Sequence, residues 1–482
     1  MSTLVTAGRV ATLVGDFPRS PAYVGLADAL RMLVTDGRIP HGTRLPSERD
    51  LTAALAVSRT TVTRAYAELR ERGYAEARQG AGTFTRLPGG PDRATDRTLT
   101  PRAGGRDLID LTCAAASAPP GLAAAYEAAL TDLPAYLSGH GYFPAGLPEL
   151  QRAIAARYDA RGLPTDPDQV MVTPGALAGT AVVARACTDP GDRVLVETPG
   201  YPNAVHALTQ RSTRIVGTAV DPDGWDLDAV AAAIRQASPT AAYLVPDFQN
   251  PTGNLMSDAD RARYARELAR SRTLAIVDEA HQSLALDGQP MPRPMAAHVE
   301  EAGGEAVTVG SASKMMWGGL RLGWIRVPHG RRDAVTRARL MLDLGAPVLE
   351  QLTLTRLLAD PEPVVAAHRD RLREQRDRLA AAVRAELPDW EFRLPGGGLA
   401  LWCRLPVPLS SRVVAEAEAL GVALAPGPVF ARAGGHEHFV RLPWTRPADE
   451  LEEAVRRLGR AWAVARSGRE GRGGEPDRVM VA

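Results

Sequence analysis

Lysine is almost absent from this chain. Of its 57 basic residues 56 are arginine, and the one lysine is Lys314. A guanidinium stays protonated and cannot condense with an aldehyde, whereas a lysine amine forms imines. The one primary side-chain amine in 482 residues is therefore a candidate nucleophile. Its plain alternative is a surface lysine that survived by chance. Cysteine is scarce too. Cys113, Cys187 and Cys403 are odd in number and far apart, which excludes a disulfide framework and a cysteine metal cluster; no metal site is expected. No uncharged run approaches the ~18 apolar residues of a membrane span. The first twenty residues lack a basic start followed by an apolar run, so no secretory leader is expected and the cytoplasm is the expected compartment. Acidic and basic residues nearly cancel, at net +1, and 45% of residues are hydrophobic, which excludes wholesale disorder. What is present is enough chain for two to four domains.

A division is visible near residue 100. The stretch 87–107, LPGGPDRATDRTLTPRAGGRD, is rich in Gly, Pro, Arg and Asp and poor in large apolar residues. That is linker composition. With the linker placed at 89–108, it separates an N-terminal part, 20–88, from a longer part, 109–466; the Gly- and Arg-rich stretch 467–482 reads as a frayed tail. Residues 1–88 carry net +4, leaving −3 for the remainder. The placement of that small excess matters more than its size.

In the short part, apolar residues recur at helical spacing from Tyr23 to Asp36. A turn-rich break, GRIPHGTRLPS, follows, and Ser47 is placed to cap a helix over SERDLTAALA. After the tight connection AVS, Ser58 can cap a second helix, SRTTVTRAYAELRERG. Val62, Ala65, Tyr66 and Leu69 fall on one face of it, with Arg59, Thr60, Thr63 and Arg64 on the other. Gly73 ends it, and GYAEARQGAGTFTRL reads as two short strands around a Gly-rich tip. Two short helices joined tightly and followed by a hairpin make a winged helix-turn-helix. Its second helix offers short polar and Arg side chains to base edges at its N-terminal end. A merely solvated amphipathic hairpin is the alternative that composition leaves open.

The wording of GTRLPSERDLTAALAVSRTTVTRAYAELRERGYAEARQGAGTFT closely resembles the GntR family of bacterial transcription regulators, from Ala22 to Pro88. LPSER, SRTTV and GAGTF are its most specific parts. The resemblance implies contact with double-stranded operator DNA from Arg49, from Arg59, Thr60, Thr61 and Thr63 on the helix begun by Ser58, and from the wing at Gly80 and Gly82. Arg64 is added from helix geometry alone.

In the long part, apolar strand-like runs alternate with helical stretches: VMVTPG, RVLVETPGY, AAYLVPDFQNP, TLAIVDEAH, AVTVGSASK and LGWIRVP, with ALAGTAVVARAC and SDADRARYARELARS among the helices. This predicts an α/β domain around a largely parallel sheet, with ligands beyond the carboxyl ends of the strands. Gly175, Tyr201, Asn250, Asp278 and Lys314 all fall at such ends. An imine-forming lysine asks for an aldehyde, and pyridoxal 5′-phosphate is the obvious one, an electron sink whose power depends on a protonated ring nitrogen. Asp278 is placed to hold that proton. Gly175 and Ala176 stand at a helix N-terminus, which favours an anion. Ser311 and Arg321, at −3 and +7 from the lysine, can turn onto the same phosphate. Plainer readings exist: Asp278 as a helix cap, NPTG as a turn. DEAH is also a helicase ATPase motif, but the GxxxxGK[ST] loop it requires is missing. His436 and His438 read as surface loop.

Together these motifs resemble fold-type I pyridoxal phosphate enzymes of the aspartate aminotransferase kind over residues 109–465. The resemblance implies a mostly parallel sheet with flanking helices and a smaller C-terminal α+β subdomain. It gives Lys314 in SASK the Schiff base and Arg321 in GLRLGW the phosphate. Asn250 in QNPTG would bond the ring's 3′-oxygen, and Tyr201 in ETPGYP would stack on the ring. Tyr142 in GYFPAGLPELQRAI would reach the phosphate of a neighbouring subunit, and Arg441 in FVRLPW would clamp a substrate or effector carboxylate. Three departures stand out. The family usually has Tyr three positions after the aspartate; here it is His281, which can donate the same bond but titrates nearer neutrality. The phosphate turn reads GALAG, and Lys314 is followed by the bulky MMW.

Both resemblances in one chain, in this order, resemble the MocR subfamily of GntR regulators. That implies a head-to-tail homodimer in which the aminotransferase-like domain senses pyridoxal phosphate or an amino compound as an aldimine, without being primarily an enzyme. The alternatives are a working aminotransferase that carries a DNA module, and a scaffold that binds no cofactor.

Overall fold

The structure, a computed structural model, describes residues 4–78, 80–86, 88, 108–432 and 434–467. The described residues divide into two compact units, those within 1–98 and 118–127, and those within 99–117 and 128–482. The expected linker lies outside the described residues save Leu108, and the expected tail save Ser467.

The first unit contains helices α1 (Ala7–Val14), α2 (Ala22–Thr35), α3 (Glu48–Leu55) and α4 (Arg59–Glu71), then a hairpin of β1 (Ala75–Arg78) and β2 (Gly82–Thr85). Both serine caps form. Ser47 Oγ accepts from Asp50 N and Ser58 Oγ from Thr61 N, each at 3.1 Å, which satisfies N–H groups that a helix start leaves unpaired. The α3–α4 turn is closed by Ala56 in the left-handed region. Val62, Ala65, Tyr66 and Leu69 of α4 bury against Leu26, Leu30 and Leu33 of α2. The unit is larger than the stretch 20–88. Val10 and Val14 of α1 enter the same core, a helix too short for periodicity to disclose. Residues 118–127 also belong here, ahead of the rest of the long part, with Gly121 N donating to Asp36 and Arg31 paired with Glu127 at 2.7 Å.

In the second unit the strands are β3 (Ile109–Asp110), β4 (Val170–Thr173), β5 (Arg193–Thr198), β6 (Arg214–Asp221), β7 (Gly224–Trp225), β8 (Ala241–Leu244), β9 (Leu274–Asp278), β10 (Ala306–Ser311), β11 (Gly323–Arg326), β12 (Ala400–Arg404), β13 (Val422–Ala423), β14 (Ala425–Pro426) and β15 (Phe439–Pro443). An eight-stranded sheet runs β4-β11-β10-β9-β8-β5-β6-β7. It is parallel from β10 through β6; β11 runs against both neighbours and β7 against β6. Every residue of β8, β9 and β10 is buried, the reason these strands read as unbroken apolar runs. A smaller subdomain holds β12-β15-β14 and the parallel pair β3 and β13, packed with the helices Glu362–Glu386, Ser410–Ala419 and Ala448–Arg466. Among the described residues, no helix is long and apolar enough to cross a membrane.

Candidate functional site

Adjacent strand ends deliver the first groups. Asp278 is the last residue of β9, and β10 ends at Ser311, whose hydroxyl accepts from Ser313 N at 3.1 Å and starts the one-turn helix Ala312–Met315 that carries Lys314. Asp278 accepts from Ala280 N at 2.8 Å and from the hydroxyl of Tyr243 on β8. Burial raises its carboxyl pKa, against these donors and the charge of Lys314. The Lys314 amine donates to Ala114 O at 2.8 Å. Burial lowers the pKa of that amine from 10.5, with Arg441 and Arg321 adding and Cys113 and Asp278 opposing, so more of it is present as free nucleophile at neutral pH.

Across the cluster stands Arg441 on β15, fully buried. It donates to Thr112 O and, at 3.3 Å, to Asn250 Oδ1; its guanidinium carbon lies 4.9 Å from the Phe430 ring centre, and its Nε has no hydrogen-bond partner. Burial pulls its pKa down to about 10. All of its hydrogen-bond acceptors are neutral oxygens. A buried cation of this kind is complementary to a carboxylate. Tyr201, at the start of the helix Pro202–Thr209, belongs to the same group, since the charges of Asp278 and Arg441 act on its hydroxyl, which accepts from Asn203 at 3.1 Å.

A second focus lies at the start of the helix Ala176–Cys187. Gly175 has φ +93°, and a Cβ there would stand 2.7 Å from Arg321 Nη2. Arg321 is exposed and donates to Pro174 O at 3.2 Å. Only glycine allows this guanidinium to lie against a helix N-terminus whose free N–H groups, with Ala176 first, favour an anion. These groups suit a phosphate, Asp278 a protonated ring nitrogen, and Lys314 an aldehyde. The donor set fits pyridoxal phosphate.

Two expectations change. His281 does not titrate near neutrality, because burial pushes its pKa down to about 4. Its Nδ1 lies 2.9 Å from Phe248 O, which can only accept, so the single N–H of the neutral ring is spent there. His281 therefore offers an acceptor, Nε2, where a tyrosine would offer a donor. His436 is half-buried against Trp402 and Phe439 and is not free surface loop. Tyr142 is 57% exposed and takes no part in the cluster of this chain. Sequence reasoning missed Tyr243, whose only signal was a polar group in an apolar strand. It also missed Thr112–Ser117, a run without periodicity whose carbonyls receive Arg441, Thr445, Lys314 and Arg371.

In the first unit, Arg49, Arg59, Thr60, Thr63 and Arg64 are exposed, and Thr61 is half-buried. Several are already engaged. Thr61 shares a hydroxyl bond of 2.8 Å with Ser58, Thr63 donates to Glu48 at 2.7 Å, and Arg59 lies 3.8 Å from the same carboxylate. Arg64 stacks on Tyr23 at 3.7 Å. At the wing, Gly80 and Gly82 have φ of +73° and +104°. Arg44, read as part of a turn, is exposed beside the wing, and its Nε would meet a Gly82 Cβ at 3.1 Å.

The aminotransferase class I and II family model matches residues 123–458. The chain belongs to that family. Residues 22–85 match the model of bacterial regulatory proteins, gntR family, and the combination fits the MocR subfamily. The uncharacterized HTH-type transcriptional regulator YdcR of Escherichia coli is 29% identical over 91% of this chain and 98% of its own length. The probable rhizopine catabolism regulatory protein MocR of Rhizobium meliloti is 29% identical over 77% and 78%. Among solved structures, the α-aminoadipate aminotransferase LysN of Thermus thermophilus, complexed with N-(5′-phosphopyridoxyl)-L-leucine, superposes with a TM-score of 0.69 at 27% identity, over 75% of this chain and 94% of that one.

Proposed function

We propose that this member of the family is a cytoplasmic, pyridoxal-phosphate-dependent transcription regulator: the gntR-type unit reads operator DNA and the aminotransferase-fold unit senses the cofactor or an amino compound. The observation that carries the reading is the union, in one chain, of a DNA reader with a buried cluster in which the charge of Arg441 acts on Lys314. Bound, pyridoxal phosphate supplies an aldehyde and an electron sink. Lys314 supplies a free amine to it, and Asp278 keeps a proton at the ring nitrogen. Arg321, Ser311 and the Gly175–Ala176 helix start would hold the phosphate, Tyr201 would lie against the ring and Asn250 would bond the 3′-oxygen, whereas His281, whose one N–H goes to Phe248 O, has none left to donate there. Arg441 trades the Thr112 carbonyl for the carboxylate of an incoming amino compound. That trade is the difference in contacts a two-state switch requires.

A head-to-tail homodimer is part of the proposal. The run Leu340, Met341, Leu342 and Leu344 is apolar and exposed, a patch suited to a second copy. Tyr142 at the surface is then free to reach the partner's phosphate. A working aminotransferase with a DNA module is the second reading, since the relatives include enzymes and each residue chemistry requires is present. The test is spectroscopic. Full-length protein with added cofactor should show a visible absorption band that borohydride converts to a covalent adduct on Lys314. Lys314→Ala and Lys314→Arg should both lack it. A wild-type protein that stays colourless overturns the proposal.

A further inference from the structure

His368 lies on the helix Glu362–Glu386, with no sequence motif around it, and is only 2% exposed. Its Nε2 is 3.2 Å from the main-chain oxygen of Lys314, and its Nδ1 is 3.0 Å from Arg371 Nη2. The same Arg371 nitrogen donates to Ser117 O at 2.6 Å. Arginine only donates, so Nδ1 must accept, and the proton of a neutral ring must sit on Nε2, directed at the lysine carbonyl. Burial, with the charges of Arg371 and Arg369, keeps the ring neutral by pushing its pKa to about 4. The tautomer is thus set by the neighbours.

These bonds close a ring. Lys314 Nζ reaches Ala114 O at 2.8 Å, and three residues on, Ser117 is tied through Arg371 and His368 back to the carbonyl of the same lysine. Both ends of Lys314, backbone and amine, are therefore fastened to one segment, Ala114–Ser117. When the amine engages a ligand it gives up Ala114, and the His368–Arg371 half of the ring still ties the lysine backbone to that segment. We infer that His368 is a positioning residue for Lys314, with Arg371 fixing its orientation, and that the pair holds the lysine in register with the Ala114–Ser117 segment when the amine leaves it. The inference rests on the cofactor reading above.

Lys314 being the only lysine makes a direct test available. Full-length wild type, His368→Ala and His368→Gln are compared by two measurements. In the first, an amine-acylating reagent labels Lys314 across a pH series without cofactor, and peptide mapping separates this adduct from the terminal amine. The labelling midpoint should move up towards an ordinary lysine's in His368→Ala. It should stay near wild type in His368→Gln, whose amide retains an N–H for the carbonyl. In the second, pyridoxal phosphate is titrated by absorbance: His368→Ala should weaken binding about tenfold and His368→Gln no more than about twofold. If His368→Ala labels and binds as wild type does, or if both variants fail equally, the inference is overturned. A wild type that labels normally yet never binds the cofactor overturns the functional proposal as well.

Discussion

The guanidinium of Arg441 is fully buried and meets only neutral acceptors, Thr112 O and Asn250 Oδ1, with its Nε unpartnered. Its pKa, lowered from 12.5 to about 10 by burial, corresponds to an unfavourable burial of the charge by about 3 kcal/mol. Arg441→Met removes that cost and nearly fills the volume, so the ligand-free protein should be as stable as wild type or more so. Replacing buried ions with apolar side chains is often neutral or stabilising by ~1–4 kcal/mol. Recognition should move the other way. A carboxylate loses a charge-assisted, two-pronged partner worth about 2–4 kcal/mol, and at 1.4 kcal/mol per factor of ten its apparent affinity should drop roughly 30- to 1000-fold. Arg441→Lys keeps the charge but not the fork, and should fall between. Thermal unfolding gives the first quantity. Titration of the bound cofactor's absorption with amino acids gives the second. An Arg441→Met variant that is strongly destabilised, yet keeps wild-type half-saturation by amino acids, would refute the reasoning.

Three further outcomes are expected. Gly175→Ala puts a methyl 2.7 Å from Arg321 Nη2 at a positive φ, so phosphate retention should fall and free pyridoxal phosphate should dissociate faster, with unchanged dissociation as the contrary result. Glu197, buried on β5, is raised from 4.5 to about 7 by desolvation. The folded form holds a proton that the unfolded chain has released, so this group's contribution to stability is lost as pH rises from about 4.5 through about 7, by about 3 kcal/mol in all. Glu197→Gln should remove that component from unfolding free energies, and identical pH dependence would contradict it. In the reader, Arg59→Ala should cost about 1–3 kcal/mol and relax specificity at one base pair, whereas Arg44→Ala should weaken all sequences alike and lower the salt slope by about one; footprints at varied salt distinguish the two.

Much of the molecule was legible in the sequence because its signals are local. The serine caps at Ser47 and Ser58 and the buried strands β8 to β10 each follow from a few neighbouring residues. Lys314 announced itself by composition. What stayed hidden depends on distant pairings. Tyr243 meets Asp278 across two strands, His368 meets Lys314 from a helix 54 positions on, and Arg441 reaches Thr112 over 329. The His281 expectation failed for the same reason, since residue type gives the ring's capacity but only Phe248 O decides where its proton goes.

Operator affinity of the full-length protein, measured with no ligand, with pyridoxal phosphate, and with pyridoxal phosphate plus each of a panel of amino acids, bears most directly on the sensor claim. Wild type should change its operator affinity at least about fivefold with one of these additions, the lower end of ordinary allosteric coupling. Lys314→Ala should bind the operator but ignore every addition. Operator affinity that never responds, alongside transamination at ordinary enzyme rates of ~1–10³ per second, would contradict the account and favour the aminotransferase.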